Sequence, residues 1–209
     1  MTRRALIASA LLLTAAACRS SVPIAESALA AQPTKPEDSP VVEIDTSVGK
    51  ITVQLDAKKA PITVENFLKY VDKGFYDGLV FHRVMPGFMI QGGGMEDVNG
   101  TLKEKTEGAL APIKNESRNR LRNDRGTIAM ARKPDPNSAT SQFFINHNNN
   151  ANLDEAPGGY CVFGKVTEGL DVVDAIAKVQ TTTKRDKFGN SHEDVPVKPV
   201  IIKSIKRKS

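Results

Sequence analysis

A mainly β fold, with short antiparallel strands curled into a closed barrel, is predicted by three observations. Short apolar or alternating runs recur along the chain, Gly-, Pro- or Asn-rich stretches separate them, and just two segments carry helical periodicity. Many short strands leave exposed edges unless the sheet closes on itself, which favours a barrel. The pattern does not give the strand order, and no internal repeat is present.

Residues 1–18 read as a secretory signal: Arg3 and Arg4 start it, Ala5 to Leu13 form its apolar run, and Ala15-Ala16-Ala17 precede Cys18. That run is too short for a spanning helix, which needs roughly 20 residues. A Cys directly after small residues resembles a bacterial lipobox, in which the Cys receives lipid and becomes the mature N-terminus. Ala15 departs from the Leu usual there, and cleavage after Ala28-Leu29-Ala30 is the alternative. Residues 19–40 are rich in Ser, Ala and Pro with no apolar period, and read as a flexible linker reaching about 25 Å by the random-coil relation. The expected folded domain is 41–209.

It opens with Val42 and Ile44, then Ile51, Val53 and Leu55, two alternating runs joined by Thr46-Ser47-Val48-Gly49, a hairpin signal. Pro61 suits a first helical turn, and Val64, Phe67, Leu68 and Val71 carry an amphipathic helix that stops at Gly74. Val80 to Arg83, Phe88 to Gln91, Gly126 to Ala131, Gln142 to Asn146 and Tyr160 to Val166 read as strands. Leu170, Val173, Ile176 and Ala177 give a second helix, and Val200 to Ile205 a closing strand.

Composition bounds the function without naming it. Hydrophobic content of 40% with 25% charged residues is that of a soluble globular protein. Loss of Arg3 and Arg4 with the signal would bring the net charge from +5 to +3, too little to argue for nucleic acid. Of two cysteines, Cys161 lies in the apolar run Tyr160-Cys161-Val162-Phe163 and reads as a small buried hydrophobe. His147 and His192 lie in polar loops without ligand spacing, so no metal site is expected. Gly92-Gly93-Gly94 lacks the Lys-Ser or Lys-Thr of a phosphate loop, and no Gly-x-Ser-x-Gly elbow points to a hydrolase.

The most informative stretch is Phe81-His82-Arg83-Val84-Met85-Pro86-Gly87-Phe88-Met89-Ile90-Gln91-Gly92-Gly93. It sets a permanent cation and an amide among phenyl rings and thioethers, with no activated nucleophile, and so suits a reaction that breaks no covalent bond. This run resembles the signature of the cyclophilins, the peptidyl-prolyl cis-trans isomerases. Two further motifs follow in family order. One is Gly126-Thr127-Ile128-Ala129-Met130-Ala131-Arg132 with Ser138 to Asn146, and the other is Asn152-Leu153-Asp154 with Gly159 to Lys165. The resemblance covers nearly everything from Val41 to Ile205, and implies an eight-stranded closed barrel capped by two helices. Arg132, Tyr160 and the long segment from Lys114 to Arg125 match bacterial members rather than eukaryotic ones.

The resemblance assigns catalytic roles to Arg83, Gln91 and His82. Rotation about an X-Pro bond must break amide resonance, and in the twisted state the proline nitrogen regains a lone pair. Arg suits this because it offers five donors and never loses its proton at biological pH. Gln91 would bind the substrate backbone. No proton need move, so His82 is read both as a site residue and as packing support. Phe88, Met89, Phe144 and Leu153 would hold the proline ring, Ala131, Arg132 and Gln142 would meet the peptide, and Tyr160 would donate a hydrogen bond from its hydroxyl. Asn152 stands where the family places Trp or Phe, which implies weak cyclosporin binding. The expectation is therefore an exported, monomeric, lipid-anchored isomerase of the periplasm or cell envelope, without cofactor. It would act on unfolded or proline-containing polypeptides there. A chaperone using the same groove without turnover is the rival, and the presence of Arg83 and Gln91 argues against it.

Overall fold

The computed structural model describes residues 39–186 and 188–208. The predicted signal, Cys18 and nearly all of the predicted linker lie outside them. Pro40, placed in the linker on sequence, is buried, and its carbonyl accepts from Leu55 N–H at 2.8 Å.

Strands β1 (Val41–Thr46) and β2 (Lys50–Leu55) form the predicted hairpin, and Thr46 organises its turn. The Thr46 hydroxyl donates to Gly49 O at 2.7 Å while accepting from Val48 and Gly49 N–H. Helix α1 (Pro61–Asp72) starts with its proline in the first turn, where a missing N–H costs nothing. Its free N-terminal donors are met from far away. Glu116 accepts from Ile62 and Thr63 N–H and from the Thr63 hydroxyl, the last two at 2.8 Å. Gly74, in the left-handed region at φ 61°, ends the helix as expected.

The remaining elements are β3 (Arg83–Met85), β4 (Met89–Gly92), β5 (Met95–Val98), β6 (Thr101–Glu104), β7 (Thr127–Met130), β8 (Phe143–Asn146), α2 (Ala151–Glu155), β9 (Val162–Glu168), α3 (Leu170–Ala177), β10 (Thr181–Arg185), β11 (Ser191–Pro196) and β12 (Ile202–Lys208). Eight strands form one antiparallel sheet in the order β12-β1-β2-β9-β7-β8-β4-β3. The strand count matches the expectation, but the closed barrel does not: the sheet is an open, curled half-barrel whose edges β12 and β3 do not pair. The segment before β3 meets instead the start of β12 and the residues leading into it, with Phe81 N–H donating to Val200 O at 2.9 Å and Ile202 N–H to Leu79 O at 2.7 Å. β11, rather than β12, packs beside β3.

Three other expectations are corrected. A third α-helix, α2, and a 3-10 turn at Ser117–Asn119 are present among the described residues, where two helices were expected. Val80 makes isolated bridges to Met95 and Ile201 instead of opening a strand, so β3 begins at Arg83. Two hairpins, β5–β6 and β10–β11, were not anticipated.

Alternation across the pleat separates two apolar layers. Ile128, Met130, Phe143, Ile145 and Ile90 point into the main core, while Ala129, Phe144 and Met89 face the other way. The core is aromatic at its centre: Phe143 lies edge-on to Phe67, Tyr76 and Phe81, with ring centroids 5.6 to 6.2 Å apart. Cys161 is buried against this core with its thiol near Thr63, and burial pushes its pKa up to about 11.

Candidate active site

The outward faces of β3, β4 and β8, the end of β7 and helix α2 enclose a cleft of about 390 Å³. Arg83, Gln91 and His82 line it, as do Phe88, Met89, Phe144 and Leu153, and so do Ala131, Arg132 and Tyr160. Of the residues assigned a catalytic or substrate-binding role on sequence, only Gln142 stands outside it, in an adjoining cavity of about 310 Å³ that Gln91, Ala131 and Arg132 also border.

Antiparallel register brings the polar groups together. Arg83 sits opposite Gln91 across β3 and β4, and Gln91 sits opposite Phe144 across β4 and β8. The Arg83 side chain is 44% exposed, and its guanidinium makes no hydrogen bond to the described residues. Its one ion pair among them is with Asp194, with Nε 3.8 Å from Oδ2. Gln91 is oriented by Gln142: its Nε2 donates to Gln142 Oε1 at 3.0 Å, leaving a second hydrogen on that nitrogen for another acceptor.

The glycine run beneath them is a packing requirement. A Cβ on Gly93, at φ 83°, would stand 2.8 Å from the Phe143 ring, and one on Gly94 would collide with the Gln142 side chain. Turn chemistry aims Phe88: Phe88 N–H donates to Met85 O at 3.0 Å and Gly87 has φ 76°, so Met85-Pro86-Gly87-Phe88 is a turn with Pro second and Gly third. His147 holds this turn through its Nδ1, which accepts from Gly87 N–H at 2.9 Å.

Below the apolar pocket runs a buried amide network with no sequence signature beyond its polarity. Asn150 Nδ2 donates to Phe88 O at 2.8 Å and to Asn146 Oδ1 at 2.7 Å. Asn146 in turn donates to Asn123 and Thr127, and Asn123 to Asp154 on α2. The helix carrying Leu153 is thereby tied to the strand carrying Phe144. Tyr160 lies edge-on to Phe144 at 5.8 Å. Arg132 closes the far wall, with its guanidinium 4.5 Å over the Tyr160 ring and bonded to the carbonyls of Pro157 and Gly159. Its side chain is committed to holding that loop.

His82 is 7% exposed, and its Nδ1 has no hydrogen-bond partner. Burial above all lowers its pKa to about 4, against a raising contact with the Val80 backbone, so the ring is neutral near pH 7. Sequence reasoning missed Met95, Ser191, His192 and Glu193, which the two unforeseen hairpins bring to the cleft. The signal for one was legible: Asn99-Gly100, at φ 53° and 85°, is the favoured pair for a two-residue hairpin loop. Among the described residues, no group of three His, Cys, Asp or Glu could hold a metal ion.

The family described as "Cyclophilin type peptidyl-prolyl cis-trans isomerase/CLD" matches residues 41–207. A peptidyl-prolyl cis-trans isomerase of Streptomyces antibioticus is 54% identical over 170 residues, 79% of this chain and 96% of that one. Peptidyl-prolyl cis-trans isomerase B of Escherichia coli (strain K12) is 47% identical over 170 residues, 79% of this chain and 98% of that one. Among solved structures, a Cryptosporidium parvum cyclophilin-type isomerase, crystallised in the presence of the dipeptide Ala-Pro, superposes with a TM-score of 0.64. It is 30% identical, with 81% of this chain and 99% of that one covered.

Proposed function

Because the chain belongs to the cyclophilin-type peptidyl-prolyl cis-trans isomerases and is an enzyme of that class, we propose that Arg83 is its catalytic donor and that its clients are exported polypeptides. A barrier of about 18–20 kcal/mol separates cis from trans, and only contacts made better in the twisted state lower it. The supporting observation is the Arg83 guanidinium, which lines the cleft beside Phe88, Met89 and Phe144 while keeping its donors clear of the described residues. The apolar pocket takes the proline ring, and Arg83 donates to the lone pair that forms on the proline nitrogen.

Gln91, steadied by Gln142, donates to the substrate backbone. Arg132 N–H, unpaired among the described residues, donates on this reading to an extended peptide, which gives affinity with little dependence on side chains. His82, buried and neutral, supports this wall by packing and moves no proton. Weak cyclosporin binding is part of the same reading, because Asn152, exposed on α2, offers no aromatic wall.

The test is cis-trans exchange of a short X-Pro peptide followed by NMR, with the full chain and its Arg83→Ala variant side by side. Arg83→Ala should lose about a hundredfold in rate while still binding peptide, the usual loss when one transition-state donor is removed. A variant as fast as wild type would sink the donor role. Strong inhibition by cyclosporin in that assay would count against the Asn152 reading.

Export and lipid attachment rest on residues 1–18 and on Cys18. On this reading the domain works close to a membrane surface on client proteins of the envelope. Cys18→Ser should release the chain from the membrane fraction, and equal partitioning of the two forms would end the anchor hypothesis.

A further inference from the structure

We propose that Asp194 is a positioning residue for Arg83, held by the β10–β11 hairpin, an element to which the reaction as derived above assigns no part. In that hairpin Thr182 pairs with Val195 and Lys184 with His192, so Glu193 and Asp194 together face Thr183 alone. This is a β-bulge, a device that re-aims a side chain, and it places Asp194 at φ 58°, in the left-handed region. The carboxylate stands near the guanidinium although Asp194 does not itself line the cleft: Asp194 Oδ2 lies 3.8 Å from Arg83 Nε, and no other cation is within ion-pair reach of Asp194 among the described residues.

The hairpin that carries Asp194 is anchored independently of Arg83. Val195 is buried beside Val80 and Leu102. Lys184 makes a 2.8 Å ion pair with Asp97 of β5, and both side chains are largely buried. At the other end Asp186 accepts from Asn190 N–H and Nδ2. Asp194 is therefore a carboxylate on an anchored backbone, set against a long, rotatable side chain.

Its distance matters chemically. At 3.8 Å the contact is too long to be a hydrogen bond, so it orients the guanidinium by charge without occupying a donor. Nε is the atom drawn toward Asp194, and the guanidinium donors stay available to the substrate. Holding a group in its reactive orientation speeds the chemical step rather than improving substrate affinity.

This inference rests on the donor role of Arg83, so the experiment includes that variant. Asp194→Asn keeps size and tolerance of positive φ while removing the charge, and Asp194→Gly relieves the backbone entirely. Each is made in the full chain, alone and with Arg83→Ala, and kcat and KM come from peptide exchange over a range of peptide concentrations, alongside thermal melts. Both single variants should lower kcat by about three- to fivefold with KM little changed, the range expected for losing a half-exposed ion pair. In the Arg83→Ala background neither should slow the enzyme further.

An equal loss in that background, a change confined to KM, or wild-type kcat in both variants would overturn the inference while leaving the donor role standing. Should Asp194→Asn melt early, Asp194→Gly alone decides. If Arg83→Ala itself keeps the wild-type rate, both proposals fall.

Discussion

His82 sits beside the donor, nearly buried, with an unpartnered Nδ1 and a pKa near 4. Unfolded, its pKa is the ordinary 6.5, so between pH 6.5 and 4 the unfolded chain binds more protons than the folded one. Folding stability from this residue is therefore complete above pH 6.5 and is lost as the pH falls toward 4. The ceiling is about 3 kcal/mol at 1.36 kcal/mol per pH unit. Melting temperature followed from pH 7.5 to 4 should decline in wild type and decline less in His82→Phe, which fills similar space without a titrating group. Parallel curves would show that other groups carry the acid sensitivity. Asp186, whose hydrogen bonds from Asn190 hold its carboxyl down to about 2, sheds its contribution only as the pH falls below 3.8. Cys161, with its thiol pushed up to about 11, is protonated and buried at neutral pH, in keeping with its reading as a small hydrophobe.

At the scale of elements, α1 depends on a residue 53 positions away from its first turn. Glu116 gathers two N–H groups and a hydroxyl there, so removing its carboxylate leaves several donors without partners. Glu116→Ala should cost about 1–2 kcal/mol, within the range for loss of a helix cap, and lower the melting temperature by about 4 °C. Glu116→Gln keeps one acceptor oxygen and should cost less. Equal melting of all three forms would mean that water replaces the cap. The helix itself was legible from Pro61, the Val64-Phe67-Leu68-Val71 spacing and Gly74, because those signals are local. Its cap was not, since nothing near Glu116 marks it as a partner of Thr63. The β10–β11 hairpin was equally hidden: β10 is Thr, Lys and Arg throughout, with no alternation to read.

For the whole molecule, the cleft was legible because most of its wall comes from three continuous motifs, and alternation alone separates Phe143 in the core from Phe144 in the cleft. What could not be read were relations between distant segments: the pairing of Gln91 with Gln142, the approach of Asp194 to Arg83, and the open edge between β3 and β12. Strand order has a further consequence, in time rather than space. β1 lies between β2 and β12, with Val41 opposite both Gln54 and Lys208. The first strand of the sheet thus keeps one side unsatisfied until the last has been made, and pairing of this separation is slow to form because the loop it closes is long. As the chain emerges, the β1–β2 hairpin and α1 can assemble early, but the sheet that presents Arg83 must wait for Ile202–Lys208. A catalyst of proline isomerisation built this way completes its own sheet only after its last strand has been made.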